Sequence, residues 1–347
     1  MNHRKFCYAI SAAVLVCTLT IPSAFSSEQA KRAVNVDNFK RAESDLYFAK
    51  FVADGAFGQF THVREPTSID KQDVIRMNRD TLYSFAVIDL GAGPVTVTMP
   101  EAGERFMSLQ VINQDHYTVN VSYGGGKHTV TPDMVGTRYA MLLVRTFVDP
   151  GNENDLQEVN SLQDAMTIDQ DESSEFEIPR WDVEQTGRIR KILNDLASAN
   201  RGIGSSRMFG TEETVDPVYH LMGTAAGWGG NPKEDAYYEG GAPAESSGVY
   251  TMTIQDVPVD GFWSVSVYNA QGYFERNDLN RYSINSVTAK KEVDGSVIVQ
   301  FGGCEDSNPN CIPTTEGWNY VVRLYQPHKE ILTGEWTFPK LVPAEAP

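Results

Sequence analysis

The chain has 347 residues, with 46 Asp and Glu against 29 Lys and Arg and a formal charge of −17. That acidic balance excludes nucleic acid and anionic membrane surfaces as partners, because both call for a basic patch. The length is enough for two cores, and no internal repeat or low-complexity tract interrupts it.

The N-terminus has the three-part layout of a secretory signal peptide. Arg4 and Lys5 precede an apolar run from Phe6 to Ile21, Pro22 breaks it, and Ala24-Phe25-Ser26 makes a small-x-small cleavage site. The run is shorter than the roughly 20 apolar residues that span a bilayer. Cleavage after Ser26 is expected, with no membrane insertion afterwards and a periplasmic or secreted product. Cys7 and Cys17 leave with the leader. Cys304 and Cys311 remain, in "GGCEDSNPNCIP", and two thiols in an exported chain are expected to form a disulfide.

Next comes a helix over 35–54, where Phe39, Ala42, Leu46 and Ala49 recur at helical spacing. From Thr81 the runs become β-type: "TLYSFAVIDL", "VTVTMP", "FMSLQVI", "YTVNVSY" and "YAMLLVRTF", separated by turn formers. The middle reads as helical in "NDLQEVNSLQDAM" and "WDVEQTGRIRKILNDLASAN". In the second, Ile189, Ile192, Leu193 and Leu196 form one apolar stripe, expected to face the core. "GWGGNPKEDAYYEGGAPAESSG" is an ordered connection, since Trp228, Tyr237 and Tyr238 want packing. β-type runs return with "VYTMTI", "FWSVSVYN", "SVIVQF" and "NYVVRLYQP". In "FWSVSVYN", Trp263, Val265 and Val267 alternate with Ser264, Ser266 and Tyr268, giving one apolar and one hydroxylated face. The predicted fold is mainly β with helical insertions, built as two sandwich modules. The divisions are a leader at 1–26, a helix plus the first β module at 27–150, a helical and loop connection at 151–245, and a second β module at 246–347.

Motifs for common chemistries are missing from the sequence. There is no G-x-S-x-G, no G-x-G-x-x-G after a strand, no complete P-loop, no H-E-x-x-H and no C-x-x-C. After the leader, His62, His116, His128, His220 and His328 stand isolated, so spacing indicates neither a metal nor a cofactor.

Three places concentrate polar chemistry. "NRDTLYS" at 78–84 crowds Asn78, Arg79, Asp80, Thr81 and Tyr83 at the mouth of a strand. Asn and Asp there suit a turn, and the mouth of a strand is also a common place for ligands. "NDLNRYS" at 277–283 repeats the mixture, with Asn280, Arg281 and Tyr282 able to anchor a carboxylate or a sugar hydroxyl. Arg323 sits midway along an otherwise apolar strand, where a buried guanidinium needs a partner.

Long stretches carry a family resemblance. "GQFTHVREP" followed by "NRDTLYSFAVIDLGAGPVTVTMPEAGERFMSLQVI", and later "GFWSVSVYNAQGYFERNDLNRYSINS", "DGSVIVQF" and "NYVVRLYQPHKEILTGEWTFP", resemble two bacterial families usually fused in secreted or periplasmic proteins. They are the domains of unknown function 1254 (N-terminal) and 1214 (C-terminal). The resemblance implies two jelly-roll-like β domains flanked by helices and no established reaction. Cys311 in "NCIP" stands where the family often has Trp, so the disulfide belongs to a subfamily. The segment "YGGGKHTVTPDMVGTRYAMLLVRTF" is more compact than in many relatives.

Three functions stay open. The first is a hydrolase or lyase acting on a small organic or saccharide substrate at the interface of the two modules. Asp80 would be its acid or base, with Tyr83 and His62 assisting. Asn78, Thr81, Asn280, Arg281, Tyr282 and Arg323 would bind the substrate. The second is a non-catalytic carbohydrate or small-ligand binding protein, with Trp228, Tyr237, Tyr238 and Trp263 stacking on sugars. The third is a structural envelope protein. A homo-oligomer stays open for each.

Overall fold

The computed structural model describes residues 30–72, 75–171, 175–199, 204–245 and 247–344. The signal peptide expected at 1–26, with Cys7 and Cys17, lies outside the described residues. No helix among those described is long and apolar enough to cross a membrane.

The chain opens with helix α1 (Phe39–Ala53), then β1 (Thr61–His62), β2 (Thr81–Asp89), β3 (Val95–Met99), β4 (Met107–Asn113), β5 (Thr118–Tyr123) and β6 (Gly126–Val130). A short α2 (Pro132–Val135) leads into β7 (Tyr139–Phe147). The middle holds α3 (Glu153–Asp164), β8 (Thr167–Asp169), α4 (Val183–Ala199) and α5 (Pro217–Ala226). There follow β9 (Ala236–Gly241), β10 (Tyr250–Ile254), β11 (Trp263–Tyr268), β12 (Ser283–Asn285), β13 (Val297–Phe301), β14 (Cys311–Ile312) and β15 (Asn319–Tyr325), and last α6 (Lys329–Thr333) and β16 (Val342–Pro343).

The fold is mainly β, in two layered modules. In the first, a five-stranded sheet β1-β2-β7-β4-β5 covers a three-stranded sheet β6-β3-β8. Their facing side chains, among them Ala86, Ile88, Val97, Leu109, Leu142 and Val144, make one core. In the second, sheet β12-β11-β15-β9 faces sheet β14-β13-β10-β16 around Trp263, Val265, Val299, Phe301 and Trp318. Each module thus has the two-layer form of a β sandwich. The middle segment is less separate than its composition suggests: it lends β8 to the first module and β9 to the second.

Helices α4 and α5 of the middle pack with α1 around Phe39, Trp181, Leu193 and Met222. On α1 the buried face carries Glu43, Ser44 and Asp45 beside Phe39, Ala42 and Phe48. Each acid is matched: Glu43 accepts a two-point contact from Arg190 at 2.5 and 2.7 Å, and Asp45 accepts from Gln114 at 2.7 Å and from Trp181 Nε1 at 2.8 Å. The stripe on α4 only half faces inward. Leu193 is buried, whereas Ile192 is 63% and Leu196 51% exposed, because α4 meets its neighbours along Ile189, Leu193 and Ala197.

The alternation in β11 decides how the modules meet. Trp263, Val265 and Val267 enter the second core, and Ser264, Ser266 and Tyr268 turn to the other face together with Arg323 and Tyr325 of β15. That hydroxylated face lies against the first module. Tyr268 donates to the carbonyl of Met77 at 2.8 Å, and Phe262 and Tyr325 pack on Phe106 at 5.3 and 5.0 Å between ring centroids. Cys304 and Cys311 form a disulfide.

Candidate functional site

The interface buries a polar cluster that both modules supply. "NRDTLYS" does two jobs in it. Asn78 Oδ1 accepts from the Asp80 amide at 2.8 Å, forming the expected turn. Its Nδ2 faces the other way and reaches three hydroxyls: Thr81 at 2.9 Å, Tyr325 at 3.1 Å and Tyr83 at 3.5 Å. Tyr325 is on β15, so one amide bridges the modules.

Strand register sets the floor. Tyr83 on β2 pairs with Arg145 on β7, Arg145 with Ser108 on β4, and Ser108 with Tyr123 on β5. Paired residues share a face, so Tyr83, Arg145, Ser108 and Tyr123 form one polar rung across the sheet. Arg145 is 5% exposed and has two neutral acceptors, Gln110 Oε1 and the Gly229 carbonyl, each at 2.6 Å. Among the described residues it makes no ion pair. Its guanidinium lies 5.6 Å from the Tyr83 ring centroid.

The tyrosines diverge in acidity. Burial would push the Tyr83 hydroxyl up, but Arg145, Asn78, Thr81 and Arg323 together outweigh it and hold the group below the ordinary phenol value. Burial, with Tyr238 and Tyr83 nearby, pushes Tyr325 well above that value. Burial also raises Tyr238 and Tyr268. Asp235 accepts from Tyr123 at 2.7 Å, and burial raises both groups.

Tyr83, Asn78 and Tyr238 line the interface between the modules, and each keeps some accessible surface. A ladder of half-buried rings runs toward it: Phe51 stacks on Phe85 at 4.3 Å, and Phe85 on Tyr83 at 6.0 Å. A wider groove of about 1040 Å³ lies in the second module, bordered by Arg276, Asp278, Asp306 and Glu316. A tighter recess of about 210 Å³ beside it is lined by Tyr268, Arg281 and Tyr282. We centre the chemistry on the interface because the buried, chargeable groups converge there.

The remaining residues singled out from the sequence fall in different places. Asp80 is fully buried: Oδ1 accepts from Ser283 at 3.0 Å and Asn285 at 3.5 Å, and Oδ2 has no partner among the described residues. Arg323 donates to Ser266, Tyr268 and the carbonyls of Arg76 and Met77, at 2.9, 2.8, 2.8 and 3.3 Å. It is a latch held by neutral acceptors rather than half of an ion pair. Burial opposes its charge, but the Tyr268 and Tyr325 hydroxyls and Asp80 outweigh that. Arg79 donates to the Thr67 carbonyl and lies 5.2 Å from the Tyr282 ring centroid.

His62 stands apart. Its Nδ1 bonds Ser84 Oγ at 2.7 Å, and Ser84 points to the face opposite Tyr83. Burial and Arg64 lower its basicity. Asn280 is an exposed turn residue with φ +50°, and Arg281 donates to the Asn308 carbonyl at 2.6 Å in the disulfide loop. Neither faces the interface cluster. Sequence reasoning passed over Arg145, Tyr325 and Tyr123. Arg145 carried the signal that singled out Arg323: a guanidinium in the apolar run "YAMLLVRTF".

Residues 57–134 match the family described as Protein of unknown function (DUF1254), and residues 235–329 match Protein of unknown function (DUF1214). The chain carries both domains in that order. Tyr83 and Asn78 therefore belong to the DUF1254 half, and Tyr238, Arg323 and Tyr325 to the DUF1214 half. Among solved structures the chain is similar to the VPA0106 protein from Vibrio parahaemolyticus, with a TM-score of 0.67 and 19% identity over 89% of this chain and 98% of that one. It is also similar to a putative uncharacterized protein from Burkholderia cenocepacia, with a TM-score of 0.52 and 17% identity over 88% and 87%. These likenesses concern the fold. No curated protein matches the chain.

Proposed function

We propose that the protein is an enzyme acting on a small organic or saccharide substrate between its two β modules, and that of hydrolase and lyase it is a lyase. The observation that carries this is the pairing of Tyr83 and Tyr325 at one amide, Asn78 Nδ2, with Arg145 beside Tyr83. Two titratable groups whose surroundings drive them in opposite directions are suited to be base and acid. Tyr83, as phenolate, takes the proton from a carbon next to a carbonyl or carboxylate. The carbon–carbon double bond forms as the β carbon–oxygen bond breaks, and Tyr325 protonates the leaving oxygen. Transfer of one proton from Tyr83 to Tyr325, directly or through water, resets the pair. Asn78 and Arg145 stabilise the negative charge that develops on the substrate.

The disulfide fits an oxidising compartment, and with the leader sequence we place the protein in the periplasm or outside the cell. A second reading, a structural envelope protein, draws support from Arg323, whose bonds to the carbonyls of Arg76 and Met77 tie the second module to the first.

The test is a screen of hydroxy acids, uronic acid oligomers and neutral saccharides, followed by ultraviolet absorbance of a new conjugated double bond. Turnover that disappears in Tyr83→Phe supports the lyase. Turnover that yields no unsaturated product, or that survives Tyr83→Phe, overturns it.

A further inference from the structure

We propose that the ligand of this interface is a monocarboxylate with a planar or ring-shaped body, seated with its carboxylate on Arg145; this rests on reading the interface as a small-molecule site. A guanidinium offers five N–H donors in a planar fork, and Arg145 has two named acceptors, both neutral. Burying such a charge with no ion pair is costly, and the two acceptors leave part of the fork without a hydrogen bond among the described residues.

The cation is also held rigidly. Gln110, which takes one N–H of Arg145, is fixed by donating to Thr118 Oγ1 at 2.8 Å and the Gly230 carbonyl at 2.9 Å. Gly229, whose carbonyl takes another, is fixed by its amide donating to His116 Nε2 at 2.8 Å. At Gly229 φ is +81°, and a Cβ would meet Leu143 at 3.3 Å, so the sequence needs glycine there. Both acceptors of Arg145 are thus themselves anchored, which is how a preorganised charge site is built.

Charge and shape narrow the class. Arg323 is committed to four neutral acceptors of the protein, which leaves one guanidinium for the ligand and suits a single negative charge. Asp235, held by Tyr123 at 2.7 Å, adds an acidic group close by that disfavours a dianion. The rings of Phe51, Phe85 and Tyr83 give a flat wall beside the cation, complementary to a ring or planar body.

The probes are benzoate and glucuronate, with benzamide and glucose as their neutral counterparts, titrated calorimetrically into the wild-type protein, Arg145→Lys and Gln110→Glu. Gln110→Glu places an internal carboxylate against Arg145. The acids are expected to bind wild type about ten- to hundredfold more tightly than the neutral partners. Gln110→Glu loses that preference, and Arg145→Lys, lacking the fork, keeps little of it. If the neutral compounds bind as well as the acids, the interface is a site but the carboxylate class is wrong. If none of the four binds wild type, the small-molecule reading falls together with this proposal. The comparison of acid with neutral ligand in wild type decides the matter even where a variant does not fold.

Discussion

Tyr83 and Tyr325 come from different β modules, yet both hydroxyls stand at the side-chain amide of Asn78, at 3.5 and 3.1 Å. One is lowered by Arg145 and the other raised by burial. As base and acid they are expected to be separately indispensable. Tyr83→Phe and Tyr325→Phe each lower kcat/KM by about 10²–10⁴-fold, while removal of one such hydroxyl changes stability by only about 1 kcal/mol. Steady-state kinetics with thermal melts on both variants checks this. A large loss of stability in step with activity would mean that the hydroxyls serve the fold instead.

The same pair fixes the pH profile. Tyr83 must be deprotonated to act, so kcat/KM rises with pH through its lowered value. Tyr325 must be protonated, and its raised value keeps it so beyond the ordinary 10.0. The expected curve climbs to a plateau with no alkaline fall below pH 10. A bell with its alkaline limb near neutrality would reverse or remove the two roles.

Much of the fold was legible in the chain. The alternation in "FWSVSVYN" separates the core face from the interface face, and the β11 strand follows it residue by residue. "NDLQEVNSLQDAM" reads as helical, and Asn152 caps α3 by accepting from the amides of Asn154 and Asp155. The stripe on α4 misleads because periodicity tells which residues share a face but not how wide the contact is: Ile192 and Leu196 lie beyond it. The interface is harder to read. Asn78 and Tyr325 are 247 residues apart, and only sheet order brings them together. His62 and Tyr83, named together as groups assisting Asp80, are close in sheet position but alternate in face, and the pleat parts them.

Arg323 tests the latch. Replacing it with Met removes the donor to Ser266, Tyr268 and the carbonyls of Arg76 and Met77, of which the Met77 carbonyl keeps the Tyr268 hydroxyl. A cost of about 3 kcal/mol is expected, read as a shift in the urea midpoint. A shift of less than about 1 kcal/mol would show that the modules hold together without it.

Stability should also fall on mild acidification, and His116 is the reason. It is buried, its Nε2 accepts from the Gly229 amide at 2.8 Å, and its Nδ1 meets Thr224 Oγ1 at 2.8 Å. Burial first, then His220 and Lys40, hold its pKa well below the ordinary 6.5, and burial lowers His220 as well. The unfolded chain therefore binds more protons than the folded one below pH 6.5. The slope of unfolding free energy against pH is positive there. The stability from neutral His116 is complete above pH 6.5 and is lost as pH falls toward the folded value. Urea melts between pH 8 and 5 should show this decline. His116→Gln keeps an acceptor for Gly229 and cannot take up the proton, so its curve should be flatter over the same range. Equal slopes for both proteins would assign the decline to other groups.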